Sequence, residues 1–119
     1  MIFALVQETR FRAMIEKAIQ RESQQCLILD GEETLEAAIQ KGTPQVLLLD
    51  ICISTLDGPS FVEKFKQNAA TRDIPLVVFG GSIRADLLED ARELGADQVL
   101  PKSAFREQLP EIIRRYSKR

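Results

Sequence analysis

Short apolar runs and amphipathic stretches alternate five times along the chain. The runs are Ile2–Val6, Cys26–Leu29, Val46–Leu49, Leu76–Phe79 and Gln98–Leu100. The third reads VLLL and the fourth LVVF, the continuous apolarity of strands covered on both faces. Between the runs the apolar period becomes helical. Phe11, Met14, Ile15, Ala18 and Ile19 form one stripe, and Leu35, Ala38 and Ile39 a shorter one. Asp30 with Glu33 makes a capping pair at the start of that second helix. Phe61, Val62 and Phe65 face inward on a third helix. Ile83, Leu87, Leu88, Ala91 and Leu94 mark a fourth, closed by Gly95. Phe105, Leu109, Ile112, Ile113 and Tyr116 mark a fifth, in which Pro110 fits without a kink only if the regular helix starts near Arg106 or later. Five strand–helix units in succession predict a single α/β domain over residues 1–119, a doubly wound five-stranded parallel sheet.

In such sheets ligands bind outside the carboxyl ends of the strands. The residues just past each strand are therefore the candidate chemistry. They are Gln7-Glu8 after the first, Asp50 after the third, Gly80-Gly81-Ser82 after the fourth and Pro101-Lys102 after the fifth. Singly, each has an ordinary structural reading: a turn-forming Asp, a solvated Lys, a tight Gly-Gly turn. As a set they suit phosphoryl transfer. A carboxylate nucleophile accepts phosphoryl as an acyl phosphate, and the transferring charge needs a divalent cation and a positive side chain. Mg²⁺ takes few protein oxygens and keeps waters. Glu8, Asp50 and one backbone carbonyl in the next loop would suffice, with Lys102 as the point charge.

Composition narrows the alternatives. The net charge of −2 and pI near 5.2 argue against a nucleic-acid surface. The basic cluster of Arg114, Arg115, Lys118 and Arg119 reads as a helix end whose cations suit the dipole. No apolar run approaches the roughly 20 residues that cross a membrane, and the N-terminus lacks the basic region of a secretory signal. The absence of histidine excludes a zinc site of the usual kind and any His-based triad. Cys26 and Cys52 have no metal-ligand spacing, so a cytoplasmic chain with reduced thiols is expected.

Residues 46–79, VLLLDICISTLDGPSFVEKFKQNAATRDIPLVVF, and residues 93–105, ELGADQVLPKSAF, resemble the receiver domain of two-component response regulators. The likeness extends over essentially the whole chain. It implies the flavodoxin-like strand order 2-1-3-4-5. It also implies a signalling domain rather than an enzyme in the ordinary sense. Asp50 falls on the phosphoacceptor, Lys102 on the family's lysine, Glu8 on the second acid of the acidic pair, and Cys52 where a main-chain carbonyl meets Mg²⁺. Gly80, Gly81 and Ser82 fall on the phosphate-binding loop. Four positions depart from the pattern: Gln7 for the first pocket acid, Ser54 for the loop proline, Gly80 for a hydroxyl residue, and Val99 for the aromatic switch residue. Gln7 is then expected to contribute to metal binding weakly or through a water. Ser82 could supply a hydroxyl, although a helix N-cap suits it better.

Two functions follow from the resemblance. One is a phosphorylatable receiver that takes phosphoryl from a histidine kinase or phosphotransfer protein with Mg²⁺. The other is a pseudo-receiver, a docking module that keeps the fold without needing phosphate, which Gln7, Gly80 and Val99 favour. A flavin carrier would need a hydroxyl-rich loop in place of Gln7-Glu8-Thr9-Arg10, and a dehalogenase-type phosphatase an Asp-x-Asp after its first strand. No output domain is expected after the fifth helix, so, unless the chain is a fragment of a longer protein, a downstream protein partner is expected to read a surface that includes Arg84, Arg92, Gln98 and Arg106. Neither nucleic acid nor membrane is an expected partner.

Overall fold

The computed structural model describes residues 1–117. For Ser82 it describes the backbone, so the expected hydroxyl, like Lys118 and Arg119 of the basic cluster, lies outside the described residues. The strands are β1 (Ile2–Leu5), β2 (Cys26–Leu29), β3 (Leu47–Asp50), β4 (Leu76–Gly80) and β5 (Gln98–Pro101). The helices are α1 (Thr9–Arg21), α2 (Glu32–Lys41), α3 (Gly58–Gln67), α4 (Ala85–Glu93) and α5 (Lys102–Ser117), with a 3₁₀ turn at Ser82–Arg84. The sheet is parallel, in the order β2-β1-β3-β4-β5.

Strand side chains alternate between the two faces, so each central strand feeds two cores. Phe3, Leu5, Leu47, Leu49, Leu76 and Val78 meet Leu35 of α2, Phe61, Val62 and Phe65 of α3, and Leu88 and Ala91 of α4. Ile2, Ala4, Leu48, Val77 and Phe79 meet Phe11, Ile15 and Ile19 of α1 and Phe105, Leu109, Ile112 and Ile113 of α5. Full burial of one such side chain is worth about 1.5–3 kcal/mol, which is why the two apolar runs at the centre of the sheet dominate the fold.

Three local expectations need correction. The α2 N-cap is Gly31, with no side-chain cap bond, and Asp30 instead accepts the Thr34 hydroxyl at 3.4 Å. Ile83 belongs to no core stripe: it sits in the 3₁₀ turn ahead of α4 and is 91% exposed. The α5 helix starts at Lys102 and runs through Pro110. Proline cannot donate to the Arg106 carbonyl, a defect of about 3 kcal/mol. Phe105 and Leu109 before it and Ile112 and Ile113 after it are buried, and their combined burial outweighs the defect. The Gly95 cap does form: its φ is +108°, and the Ala96 N–H returns to the Ala91 carbonyl at 3.1 Å.

Candidate functional site

β3 delivers Asp50 as its last residue, in register with Phe79 of β4. The chain then turns, and the Cys52 N–H donates to Asp50 Oδ1 at 3.0 Å. Asp50 is 7% exposed and is the buried charged residue of the core. Desolvation pushes its carboxyl above the ordinary aspartate value; the Cys52 N–H and the Lys102 charge pull the other way, and Glu8 adds to the rise. Oδ2 carries no hydrogen bond among the described residues. A poorly hydrated carboxylate with one fixed and one open oxygen is suited to attack an electrophile from a fixed direction.

The β1 end supplies Gln7 and Glu8, but each already has local work. Glu8 is the N-cap of α1 and accepts the Arg10 N–H at 2.7 Å through Oε2. Gln7 Oε1 accepts both the Ser54 N–H at 2.8 Å and the Ser54 hydroxyl at 2.9 Å. One residue on, the Thr55 hydroxyl donates to the Asp30 carbonyl at 2.9 Å. The loop after Asp50 is thus laced to the ends of β1 and β2. It closes at Asp57, which caps α3 through the Ser60 N–H at 3.1 Å. Gly58 is required there: a Cβ would lie 2.5 Å from the Ile51 carbonyl oxygen.

On the β4 side, Gly80 faces Ile51. A Cβ at Gly80 would lie 2.7 Å from Ile51 Cγ2. That methyl is fixed close to the backbone on a β-branched side chain. The missing hydroxyl residue and the isoleucine after Asp50 are therefore one packing solution. A Cβ at Gly81 would meet only Ile83 Cγ2, at 4.0 Å, and the residue leads into the 3₁₀ turn. Val99 is buried at 9% exposure in the core that also holds Leu88 and Ala91.

Lys102, the first residue of α5, makes no ion pair with Asp50 among the described residues. Its Nζ lies 4.9 Å from the centroid of the Phe11 ring, within cation–π range. Phe11 stacks on Phe79 and Phe105, whose own centroids are 4.1 Å apart. The ammonium is held at the site's edge by an aromatic floor and makes no hydrogen bond or ion pair among the described residues.

The residues fit a divalent cation modestly. Among the described residues Asp50 Oδ2 and Glu8 Oε1, both hard oxygens, accept no hydrogen bond, and the Cys52 carbonyl accepts none. No group of three acidic, His or Cys ligands forms among the described residues, so waters must complete the shell.

A parallel sheet that presents a buried aspartate, a lysine and a second acid at one edge fits the receiver class. Residues 5–114 match the family model of the response regulator receiver domain, and the chain belongs to that family. It is 27% identical over 101 residues to the DNA-binding transcriptional regulator NtrC of Proteus hauseri, a match spanning 85% of this chain and 21% of that protein. It is 26% identical over 95 residues to the phosphate regulon transcriptional regulatory protein PhoB of Pseudomonas aeruginosa, covering 80% of this chain and 42% of that one. The chain thus spans less than half the length of either regulator. In fold it is similar to the response regulator receiver domain of Bermanella marisrubri, with a TM-score of 0.86, 22% identity, and coverage of 98% of this chain and 97% of that one. The expected strand order and fold class are borne out.

Sequence reasoning brought Asp50, Glu8, Lys102 and Gly80 to one edge. It missed what they touch: Gln7 on Ser54, Ile51 against Gly80, and Lys102 on Phe11. Ser54 in place of proline was the available signal, because it restores an N–H donor.

Proposed function

We propose that Asp50 accepts a phosphoryl group from a phosphohistidine donor, a histidine kinase or phosphotransfer protein, in two-component signalling. The observation that carries this reading is the Asp50 carboxylate: buried, oriented through Oδ1 by the Cys52 N–H, and open at Oδ2. Oδ2 attacks phosphorus in line, a P–O bond forms as the donor's P–N bond breaks, and the electron pair returns to the imidazole nitrogen. The product is an acyl phosphate on Asp50. Lys102 leaves the Phe11 face and pairs with a phosphoryl oxygen. The Gly80–Ser82 turn would supply contacts to the others. Glu8, Asp50 and the Cys52 carbonyl would hold Mg²⁺, with Gln7 a weak or water-mediated contributor; when bound, the cation offsets charge on the transferring group. A downstream protein reads the state on the face that includes Arg84, Arg92, Gln98 and Arg106, in the cytoplasm.

The docking-module reading keeps some support from Gly80 and Val99, since neither can move as a hydroxyl–aromatic couple would. The two are separated by incubation with a small-molecule phosphodonor and Mg²⁺, read by intact mass. The phosphoacceptor reading expects one added phosphoryl group, lost completely in Asp50→Asn. An unlabelled wild-type protein across a panel of donors would leave the docking module as the better account.

A further inference from the structure

Two departures from the receiver pattern, Gln7 and Ser54, meet each other in space. Gln7 ends the β1 side of the site and Ser54 lies in the loop after Asp50, 47 residues away in sequence. Both hydrogen bonds end on one atom, Gln7 Oε1, at 2.8 Å from the Ser54 N and 2.9 Å from its Oγ. The amide orientation is fixed by chemistry: a backbone N–H can only donate, so its partner must be the carbonyl oxygen. A carbonyl oxygen has two lone pairs, and Ser54 occupies both. A proline at position 54 could have supplied neither donor, and a carboxylate at position 7 would have brought charge to the same place.

We propose that Gln7 and Ser54 form an uncharged clasp that positions the loop after Asp50 in the absence of a cation. In this chain the clasp fixes the segment that carries the Cys52 N–H and carbonyl. The same loop is also held by the Ile53 N–H on the Asp50 carbonyl at 3.2 Å, the Cys52 N–H on Asp50 Oδ1, the Thr55 hydroxyl on the Asp30 carbonyl and the α3 cap; the clasp adds the side-chain tie between Ser54 and the end of β1. Gln7 Oε1 is thereby withdrawn from direct coordination of the cation, which leaves Gln7 the weak or water-mediated role given above. Gln7 is a positioning residue: it orders the loop by contact with Ser54 and touches none of the reacting atoms. The loop's order then becomes independent of metal, while cation affinity falls. The second of these consequences rests on the reading of Asp50 given above; the first does not.

The test is amide exchange at Ser54 by NMR in metal-free buffer, with Leu48 and Val78 amides as reporters of global folding. Wild-type protein should protect the Ser54 amide, and Gln7→Ala should speed its exchange roughly three- to tenfold, the size of one net hydrogen bond. Leu48 and Val78 should be unmoved. Gln7→Glu keeps both reach and acceptor oxygens, so it should restore protection. Gln7→Asp is one methylene shorter; it should lose the protection and bind Mg²⁺ about tenfold or more tightly than wild type. Equal Ser54 exchange in wild type and Gln7→Ala would overturn the clasp. Protection lost in Gln7→Asp with no gain in Mg²⁺ affinity would retain the clasp and overturn the withdrawal of Gln7 from the cation. No Mg²⁺ response in any of these proteins would count against the cation reading of Asp50, while the Ser54 exchange would still decide the clasp.

Discussion

Two lysine–aspartate sets sit at opposite ends of the sheet, and they are built in opposite ways. At the start of β4 and β5, Lys66 Nζ donates to Asp97 Oδ2 at 2.7 Å, to the Ile74 carbonyl at 2.9 Å and to the Arg72 carbonyl at 3.1 Å. All three ammonium protons are used, and the same Asp97 oxygen accepts the Leu76 N–H at 2.7 Å. At the carboxyl ends, among the described residues, Asp50 has one bonded oxygen and Lys102 rests on a ring. The first set ties α3, the approach to β4 and the start of β5 into one unit. The second leaves the buried Asp50 carboxylate without an ion pair among the described residues, a cost that folding alone gives no reason to carry. Completed pairing suits a structural site, and incomplete pairing of the buried Asp50 charge supports the proposed phosphoacceptor reading.

The contrast can be broken by truncating each lysine. Lys66→Ala strands the Asp97 carboxylate and two carbonyls. The pair is half open to water on the Asp97 side, with 43% of that side chain exposed. We therefore expect a loss of about 1–3 kcal/mol, below that of a fully buried pair. Lys102→Ala should cost under about 1 kcal/mol, the worth of a partly exposed cation–π contact, yet should impair phosphoryl labelling. Chemical denaturation of both variants decides it; equal losses would erase the distinction between the two ends.

Gly80→Ser probes the packing beside Asp50. Its Cβ would press on Ile51 Cγ2, so a loss of about 1–3 kcal/mol is expected, as for an overpacked core. Ile51→Ala should recover much of it in the double variant, a coupling that a thermodynamic cycle reads directly. Additive losses would mean that the glycine answers to something other than Ile51.

A smaller effect concerns pH. Because burial raises the Asp50 carboxyl above its unfolded value, the native state binds this proton more tightly than the unfolded chain does. The ionised group therefore destabilises the fold at pH values above its folded pKa, and the penalty fades as pH falls to the unfolded aspartate value. Asp50→Asn should accordingly raise the melting temperature at neutral pH in metal-free buffer, with a gain that shrinks on acidification. A gain that grew toward low pH would have the wrong sign for a buried, unpaired carboxylate.

Much of this was legible in the sequence because it is local. Runs such as VLLL and LVVF, bounded by turn residues and alternating with helical periods, read as covered strands, and the residue that ends each strand lies at the carboxyl edge by construction. Asp50, Glu8 and Lys102 followed from that rule alone. Pairings between distant segments were not legible. Gln7 with Ser54 and Lys66 with Asp97 join residues 47 and 31 positions apart, and no periodicity encodes them. Ile83 and Pro110 misled for a related reason. An apolar residue at helical spacing looks like core until the turn that carries it is known, and a proline looks like a boundary until the burial on both sides of it is counted.

The central claim is that Asp50 is an open phosphoacceptor in a site with local rather than transmitted switching. Beryllofluoride with Mg²⁺, an analogue of the acyl phosphate, tests it in one titration followed by backbone chemical shifts. Gly80 has no side chain to move and Val99 is stiff about χ1. The account therefore predicts saturable shifts at Asp50–Ser54, Gly80–Ser82 and Lys102, with small ones across Arg84–Leu94 and Gln98–Leu100. An unresponsive spectrum at saturating beryllofluoride would contradict the phosphoacceptor. Shifts across α4 and β5 as large as those beside Asp50 would contradict the local switch.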